Sequence, residues 1–391
     1  MDELLRFGKK VAMRVLLSPL RLIPIKKNRV VMMNNLAKTY ADNPKYVTEY
    51  LLNHYPGQFE IIFPVNDMEK YAYLIEKGVR PVKFNSFTYF YYAMTAQVFL
   101  SNSGGFSYLP LRKKQFVVNT WHGGGAYKKC GVDMYNNTPL FRADLKMSAK
   151  QTDVFMSTCE AFTREVSRAM LVPREIFWGV GMPRNDMLLK NNDEKRAEIR
   201  ERLGLAEDER LMLFAPTYRK PDDNYFKDSI AIDYGVDTAR VCAALETRFG
   251  GKWKFAFRYH PAVVNRGEFD QGNVLDLTDY PDMQELLVAA DAMINDFSSS
   301  MWDFMLTGRP SFLFATDLEH YVATTEVYTP VSSWPFPQST NNDDLERTIL
   351  EFDEADYAAA CRRHYEELGG CETGEAAKLI CERIYHICYK K

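Results

Sequence analysis

From Arg29 onward, short apolar runs alternate with segments of helical character, and this alternation constrains the chain more than any other feature. A strand buried on both faces reads as a continuous apolar run, and parallel strands need a crossover that is usually a helix, so the pattern predicts parallel sheets wrapped by helices. Two such series occur. In the first, strands are expected at Val30–Met33, Glu60–Val65, Val98–Ser101, Phe116–Thr120, Val154–Ser157 and Ile176–Gly179, with helices over about 44–54, 68–76, 86–95 and 160–170. In the second, strands are expected at Leu211–Ala215, Lys254–Arg258, Val274–Leu277, Ala292–Asn295 and Ser311–Phe314, with helices near 234–249, 282–290 and 300–307. The turn-rich stretch Gly179, Gly181, Pro183, Arg184, Asn185, Asp186 lies between the series and reads as a joint, after which the charged run Asp193–Arg202 opens a new helix. The expected fold class is therefore α/β, with two doubly wound lobes facing a cleft. The chain divides into residues 1–28, a lobe over 29–188, a second lobe over 189–342, and helices over 343–391 that return to the first lobe. Sheets of this kind bind ligands beyond the carboxyl ends of their strands, which is where a site is sought.

With 46% hydrophobic and 14% aromatic residues, the chain has ample apolar area for two cores. Its net charge of −3 gives it no reason to coat nucleic acid. The charge is uneven, however. Arg6, Lys9, Lys10, Arg14, Arg21, Lys26, Lys27 and Arg29 face only Asp2 and Glu3, so residues 1–29 carry +6 and the remainder −9. Plotted as a helix, Leu4, Phe7, Val11 and Val15 share one face and Arg6, Lys10 and Arg14 another. Two readings stand: docking on an anionic membrane surface, which places the protein peripherally on the inner face of the cell membrane, or packing on its own domain. The charges forbid a spanning segment, and no secretory cleavage site follows. Seven cysteines, an odd number without a CxxC pair, predict reduced thiols and no structural metal.

Four constellations sit at expected strand ends. Trp121, His122 and Gly123, followed by Gly124 and Gly125, place an imidazole where it can accept a hydroxyl proton and where glycines let a substrate approach. A helix cap or plain turn is the alternative. Arg258 and His260, with Pro261 holding the latter extended, could share a phosphate's charge, or form a core-edge histidine beside a surface ion pair. Asp296, Phe297, Ser298, Ser299 and Ser300 mark a strand-to-helix switch whose free N–H groups and hydroxyls suit a diphosphate; a plain N-cap explains one serine but three less well. Thr217 and Arg219, after the first strand of the second series, open on the same cleft, unless they form a solvated loop. His54, His320, His364 and His386 lack such a setting and read as structural.

Taken together, Leu100–Ser103, Thr120–Gly123, Gly181–Asp186, Ala215–Arg219, Arg258–Pro261 and Ile294–Pro310 resemble the CDP-glycerol glycerophosphotransferase family, which primes and polymerises teichoic acids. The resemblance implies a GT-B-like fold with an acceptor-side first lobe and a nucleotide-binding second lobe, and inner-membrane attachment. It implies transfer of glycerol phosphate from CDP-glycerol, or of ribitol phosphate from CDP-ribitol, to a hydroxyl of a lipid-linked saccharide in cell-wall or capsule synthesis, releasing CMP without a cofactor. It places the family's two essential histidines on His122 and His260 and its phosphate site on Asp296–Ser299. In that picture His122 deprotonates the acceptor, while His260, Arg258 and the serine turn stabilise charge moving onto CMP, with Thr217 and Arg219 assisting. The chain departs from the family after the histidine, where Gly124, Gly125, Ala126 and Tyr127 precede Lys128. Its length fits a primase or a capsule-type transferase. A GT-B nucleotide-sugar glycosyltransferase or epimerase, and a non-catalytic nucleotide-binding scaffold, are the alternative functions.

Overall fold

The structure is a computed structural model that describes residues 2–133, 137–190, 192–217, 234–259, 274–324 and 327–390. Contacts divide the chain into two units, Met1–Asp186 with Leu368–Lys391, and Met187–Glu367. The helices Asn342–Leu350 and Glu354–Glu367 thus stay with the second unit, and the return to the first starts at Leu368 rather than at 343.

In the first unit, β1 (Lys26–Met33), β2 (Glu60–Val65), β3 (Val79–Lys83), β4 (Ala96–Ser101), β5 (Phe116–Asn119), β6 (Val154–Ser157) and β7 (Phe177–Gly179) form one parallel sheet in the order β3-β2-β1-β4-β5-β6-β7. Alternate residues feed opposite cores. Val30, Met32, Val98 and Leu100 pack with Val47 and Leu51 of the helix Asp42–His54 and with Ile380, Cys381 and Ile384 of the helix Ala376–Tyr389. Val31, Met33, Phe99 and Val117 pack on the other face against Leu17, Tyr89, Ala93 and Phe106. Each buried aliphatic or aromatic side chain contributes about 1.5–3 kcal/mol, so covering both faces is what makes the apolar runs continuous in sequence.

The second unit repeats the winding. Strands β8 (Glu209–Phe214), β9 (Lys252–Phe257), β10 (Val274–Asp276), β11 (Ala292–Asn295), β12 (Ser311–Phe314) and β13 (Gln338–Ser339) run parallel in the order β10-β9-β8-β11-β12-β13. Leu211, Leu213, Ala256 and Met293 pack there with Leu286, Leu287 and Ile199. In both sheets the order reverses between the first and fourth strands, at β1/β4 and at β8/β11, the switch point of a doubly wound fold.

Several expectations need correction. Segment 68–76 is a run of turns with a single 3-10 turn, Ala72–Leu74, because only Tyr71 and Leu74 are drawn into the core there. The helix expected from 234 starts at Thr238, where Asp237 caps it by accepting from Arg240 N. Strands β3 and β13 and the helix Pro139–Ala149 were not foreseen. β3 holds Pro81 and two exposed cations, a composition tolerated because it is the sheet's edge.

The amino-terminal helix Asp2–Leu17 packs on the first unit through its cationic edge and turns most of its apolar side chains outward. Its cationic edge docks on the first unit: Lys10 pairs with Asp144 at 2.5 Å, and Arg14 Nη1 donates to the Ser107 and Leu109 carbonyls at 2.5 and 2.9 Å. Phe7 and Leu17 turn inward with them, while Leu4, Leu5, Val11, Val15 and Leu16 point outward, as does Leu22 beyond the helix; Val15 and Leu16 are each 70% exposed and Leu22 88%. No helix among the described residues is long and apolar enough to cross a membrane. All seven cysteines are free, and no group of three or more potential metal-ligating side chains occurs among the described residues.

Candidate active site

Backbone geometry brings His122 to the carboxyl edge of the first sheet. β5 ends at Asn119, whose side-chain oxygen accepts from Trp121 N at 2.8 Å, and Trp121 then takes a left-handed conformation (φ +55°) that a tryptophan adopts only when its surroundings hold it there. They do so from two sides: Asn43 Nδ2 donates to the Trp121 carbonyl at 3.0 Å, and the indole lies against His122 (centroids 4.8 Å, 29°) and Phe155 (5.8 Å). Trp121 therefore supports the imidazole. Gly123 follows it, half-buried, and Gly125, with φ +65°, donates its N–H to Thr158 Oγ1 at 3.1 Å.

The imidazole itself is bonded at one nitrogen. His122 Nδ1 lies 2.9 Å from the Asn102 carbonyl, which can only accept, so Nδ1 carries the proton and Nε2 presents a lone pair. Nε2 has no hydrogen-bond partner among the described residues. The residue is exposed by area, yet the protein around the ring keeps enough water away to hold its pKa below 6.5. Arg184 acts in the same direction, and the Asn102 carbonyl and the Asp42 carboxylate oppose it.

Around this ring lies a buried polar cluster that the sequence did not disclose. Asn102, directly after β4, donates through Nδ2 to Asn34 Oδ1 (2.6 Å), directly after β1, and to Asp42 Oδ2 (2.9 Å). Arg184 Nη1 donates to the His122 carbonyl at 2.7 Å and to Asp42 Oδ1 at 3.1 Å, and Arg184 N donates to Asn43 Oδ1 at 3.1 Å. The stretch read as a joint is thus part of the site. Its Gly181 (φ +84°) sits where a Cβ would fall 2.1 Å from Glu372 Oε2, and its Asp186 accepts from Ala376 N and Ala377 N at 2.9 and 2.8 Å, capping the last helix. In the sequence Asn102 and Arg184 lie within the resemblance motifs Leu100–Ser103 and Gly181–Asp186; their burial together is a property of the fold.

In the second unit, Thr217 and Asp296 meet across the switch point. The fully buried Asp296 carboxylate accepts from Thr217 N (2.8 and 2.9 Å), Thr217 Oγ1 (2.7 Å) and Phe297 N (2.5 Å). Through these bonds Asp296 and Thr217 pin two loops together. Ser298, Ser299 and Ser300 follow, each half-buried, ahead of the six-residue helix Ser300–Met305. Ser298 Oγ accepts from Ser300 N at 3.3 Å, and Ser299 caps nothing with its side chain. The Ser298 and Ser299 N–H groups have no acceptor among the described residues. Arg258, at the end of β9, donates to the Tyr280 carbonyl (3.2 Å) and the Met283 thioether (3.3 Å), and its buried Nε is unpaired. Burial pushes this guanidinium down, with Asp282 opposing. His260 and Arg219 lie outside the described residues.

The chain is 28% identical over 373 residues to a teichoic acid glycerol-phosphate transferase of Staphylococcus aureus, covering 92% of this chain and 93% of the relative. It is 26% identical over 376 residues to a teichoic acid poly(glycerol phosphate) polymerase of Staphylococcus epidermidis, covering 92% of this chain but only 51% of that one, so it spans about half that polymerase's length. The structure of the wall teichoic acid polymerase TagF superposes with a TM-score of 0.82 at 24% identity, over 99% of this chain and 97% of that one, a likeness of fold. The sequence profile of the CDP-glycerol:poly(glycerophosphate) glycerophosphotransferase family matches residues 16–386, and the chain belongs to that family.

Proposed function

We propose that the protein transfers glycerol phosphate, or a related polyol phosphate, from its CDP-activated form to a hydroxyl of a membrane-linked cell-wall or capsule precursor, releasing CMP. The acceptor oxygen bonds to the outer phosphorus, the bond from that phosphorus to the bridging oxygen breaks, CMP leaves with the electron pair, and the hydroxyl proton passes to His122 Nε2. The observation that carries this reading is the Nδ1 bond to the Asn102 carbonyl, which leaves Nε2 as an open acceptor on a ring kept neutral at pH 7. The donor's diphosphate is assigned to the free N–H groups of Ser298 and Ser299, to the Ser299 and Ser300 hydroxyls and to Arg258, with Arg219 and His260 completing the set. Trp121 and Gly123 shape the approach to the base, and Thr217 holds the serine turn in register with β8. The test is a donor screen with purified protein. CMP released from CDP-glycerol or CDP-ribitol supports the reading, and turnover of UDP-sugars alone overturns it.

The outward apolar side chains of the amino-terminal segment, flanked by exposed Arg6, Lys9, Arg21, Lys26 and Lys27, support docking on an anionic lipid surface, which would place the enzyme on the inner face of the membrane beside a lipid-linked acceptor. Each cation near such a surface contributes about 1 kcal/mol. Flotation with phosphatidylglycerol vesicles should weaken as salt rises, and should fall further in the Val15→Ser, Leu16→Ser double variant. Flotation of that variant equal to the parent's would refute the anchor.

A further inference from the structure

A general base must be neutral at working pH, must hold one tautomer, and must not be so stabilised as a cation that it stays protonated. A carboxylate bonded directly to an imidazole meets the second need but favours the imidazolium. Around His122 a different arrangement occurs. The partner of Nδ1 is a neutral carbonyl, that of Asn102, and the nearby carboxylate of Asp42 is one amide removed. Its two oxygens are taken by Asn102 Nδ2 and by Arg184 Nη1, and the same Nη1 grips the His122 carbonyl at 2.7 Å.

We propose that Asn102, Asp42 and Arg184 are positioning residues for His122: the Asn102 carbonyl fixes the Nδ1–H tautomer, and Asp42 and Arg184 set a carboxylate and a guanidinium against each other beside the ring. The inference rests on the reading of His122 as the base. None of the three residues needs to touch substrate, because each acts through the ring or its backbone. Arg184 and Asn102 are buried, and Asp42 is held at φ +59°, a conformation that aspartate tolerates better than most residues and that its neighbours here secure through Asn102, Arg184 and the Asn43 N–H at 2.6 Å. The charged groups acting on the ring come from two elements, Asp42 from the start of the helix Asp42–His54 and Arg184 from the turn after β7. Removing the charge of either one should therefore displace the ring's titration in opposite directions.

The experiment is an NMR titration of protein carrying 13Cε1-labelled histidine, with the His122 signal assigned by its loss in His122→Gln. Arg184→Met removes the cation and leaves the carboxylate, so His122 should titrate at higher pH than in the parent. Asp42→Asn removes the carboxylate in a residue that also accepts the left-handed conformation, so His122 should titrate at lower pH. Arg184→Lys, which keeps the charge, should return the titration toward the parent's. Loosened packing alone would admit water to the ring and raise the pKa in both variants, so opposite displacements mark the positioning role. The acid limb of CMP release should move with the NMR titration in each variant. Displacement of both variants in one direction, or of neither, overturns the inference whatever the activity. Should Arg184→Met fail to fold, a fall in Asp42→Asn supports the inference and a rise or no change overturns it. Opposite displacements without CMP release from any donor would leave the positioning role standing and remove the transferase reading instead.

Discussion

Both units tie their switch point with a side-chain bond, but with different chemistry. In the first, Asn102 after β4 donates to Asn34 after β1, an amide-to-amide bridge whose remaining polar atoms pass on to Asp42, to Asn35 N at 2.8 Å and, through the Asn102 carbonyl, to His122. In the second, Asp296 after β11 gathers the N–H and hydroxyl of Thr217 after β8 together with Phe297 N, and the Thr217 carbonyl in turn accepts from Tyr234 Oη at 3.0 Å. A neutral amide can donate and accept, so the Asn102 side chain ties Asn34, Asp42 and Asn35 N together and fixes the residue whose backbone carbonyl bonds the His122 ring. A carboxylate only accepts, so it fixes the loop and leaves the next N–H groups, those of Ser298 and Ser299, without acceptors. In the proposed mechanism one switch point readies a proton acceptor, and the other readies donors for an anion.

Breaking the second tie should have the larger effect on stability. Asp296→Ala strands two N–H groups and a hydroxyl, and at about 1–3 kcal/mol per buried unsatisfied group the second unit should lose on the order of 3 kcal/mol or more, read by urea unfolding. A loss below about 1 kcal/mol would show that the carboxylate is not what holds the two loops. The smallest change sharpens the contrast. The Ser299 hydroxyl caps nothing, so Ser299→Ala should leave stability within about 0.5 kcal/mol while weakening use of the donor, seen as a raised KM for CDP-glycerol. An unchanged KM would take Ser299 out of the diphosphate site.

Much of this comparison could be read in the chain and part could not. The central strands were legible because both faces are covered, which makes Val30–Met33 or Ala292–Ile294 apolar without a break. β3 was not, since an edge strand can carry Arg80, Pro81 and Lys83, and neither was β13, which is two residues long. His122 and the serine turn stood out because a glycine run and a serine run follow apolar strands. Asn102 lay in the resemblance motif Leu100–Ser103 with no role attached, and Asp42 and Asn43, at the start of a helix, did not stand out, because polar residues in such places look alike until the fold buries some of them. Arg184 was hidden by its setting, a turn-rich stretch whose composition matches a linker, although Arg184 and Asn185 bond His122, Asp42, Asn43 and Glu372 from it. The orientation of the first helix follows the same logic: only the fold supplies Asp144 and the Ser107 and Leu109 carbonyls that draw Lys10 and Arg14 inward.

The most direct test of the account is CMP release from CDP-glycerol by the parent protein and by His122→Ala, with thermal unfolding recorded for both. The account predicts release by the parent, a loss of about 10²–10⁴-fold in the variant, and an unchanged melting temperature, as expected for an exposed base bonded only through Nδ1. Release at the parent's rate by His122→Ala would contradict it.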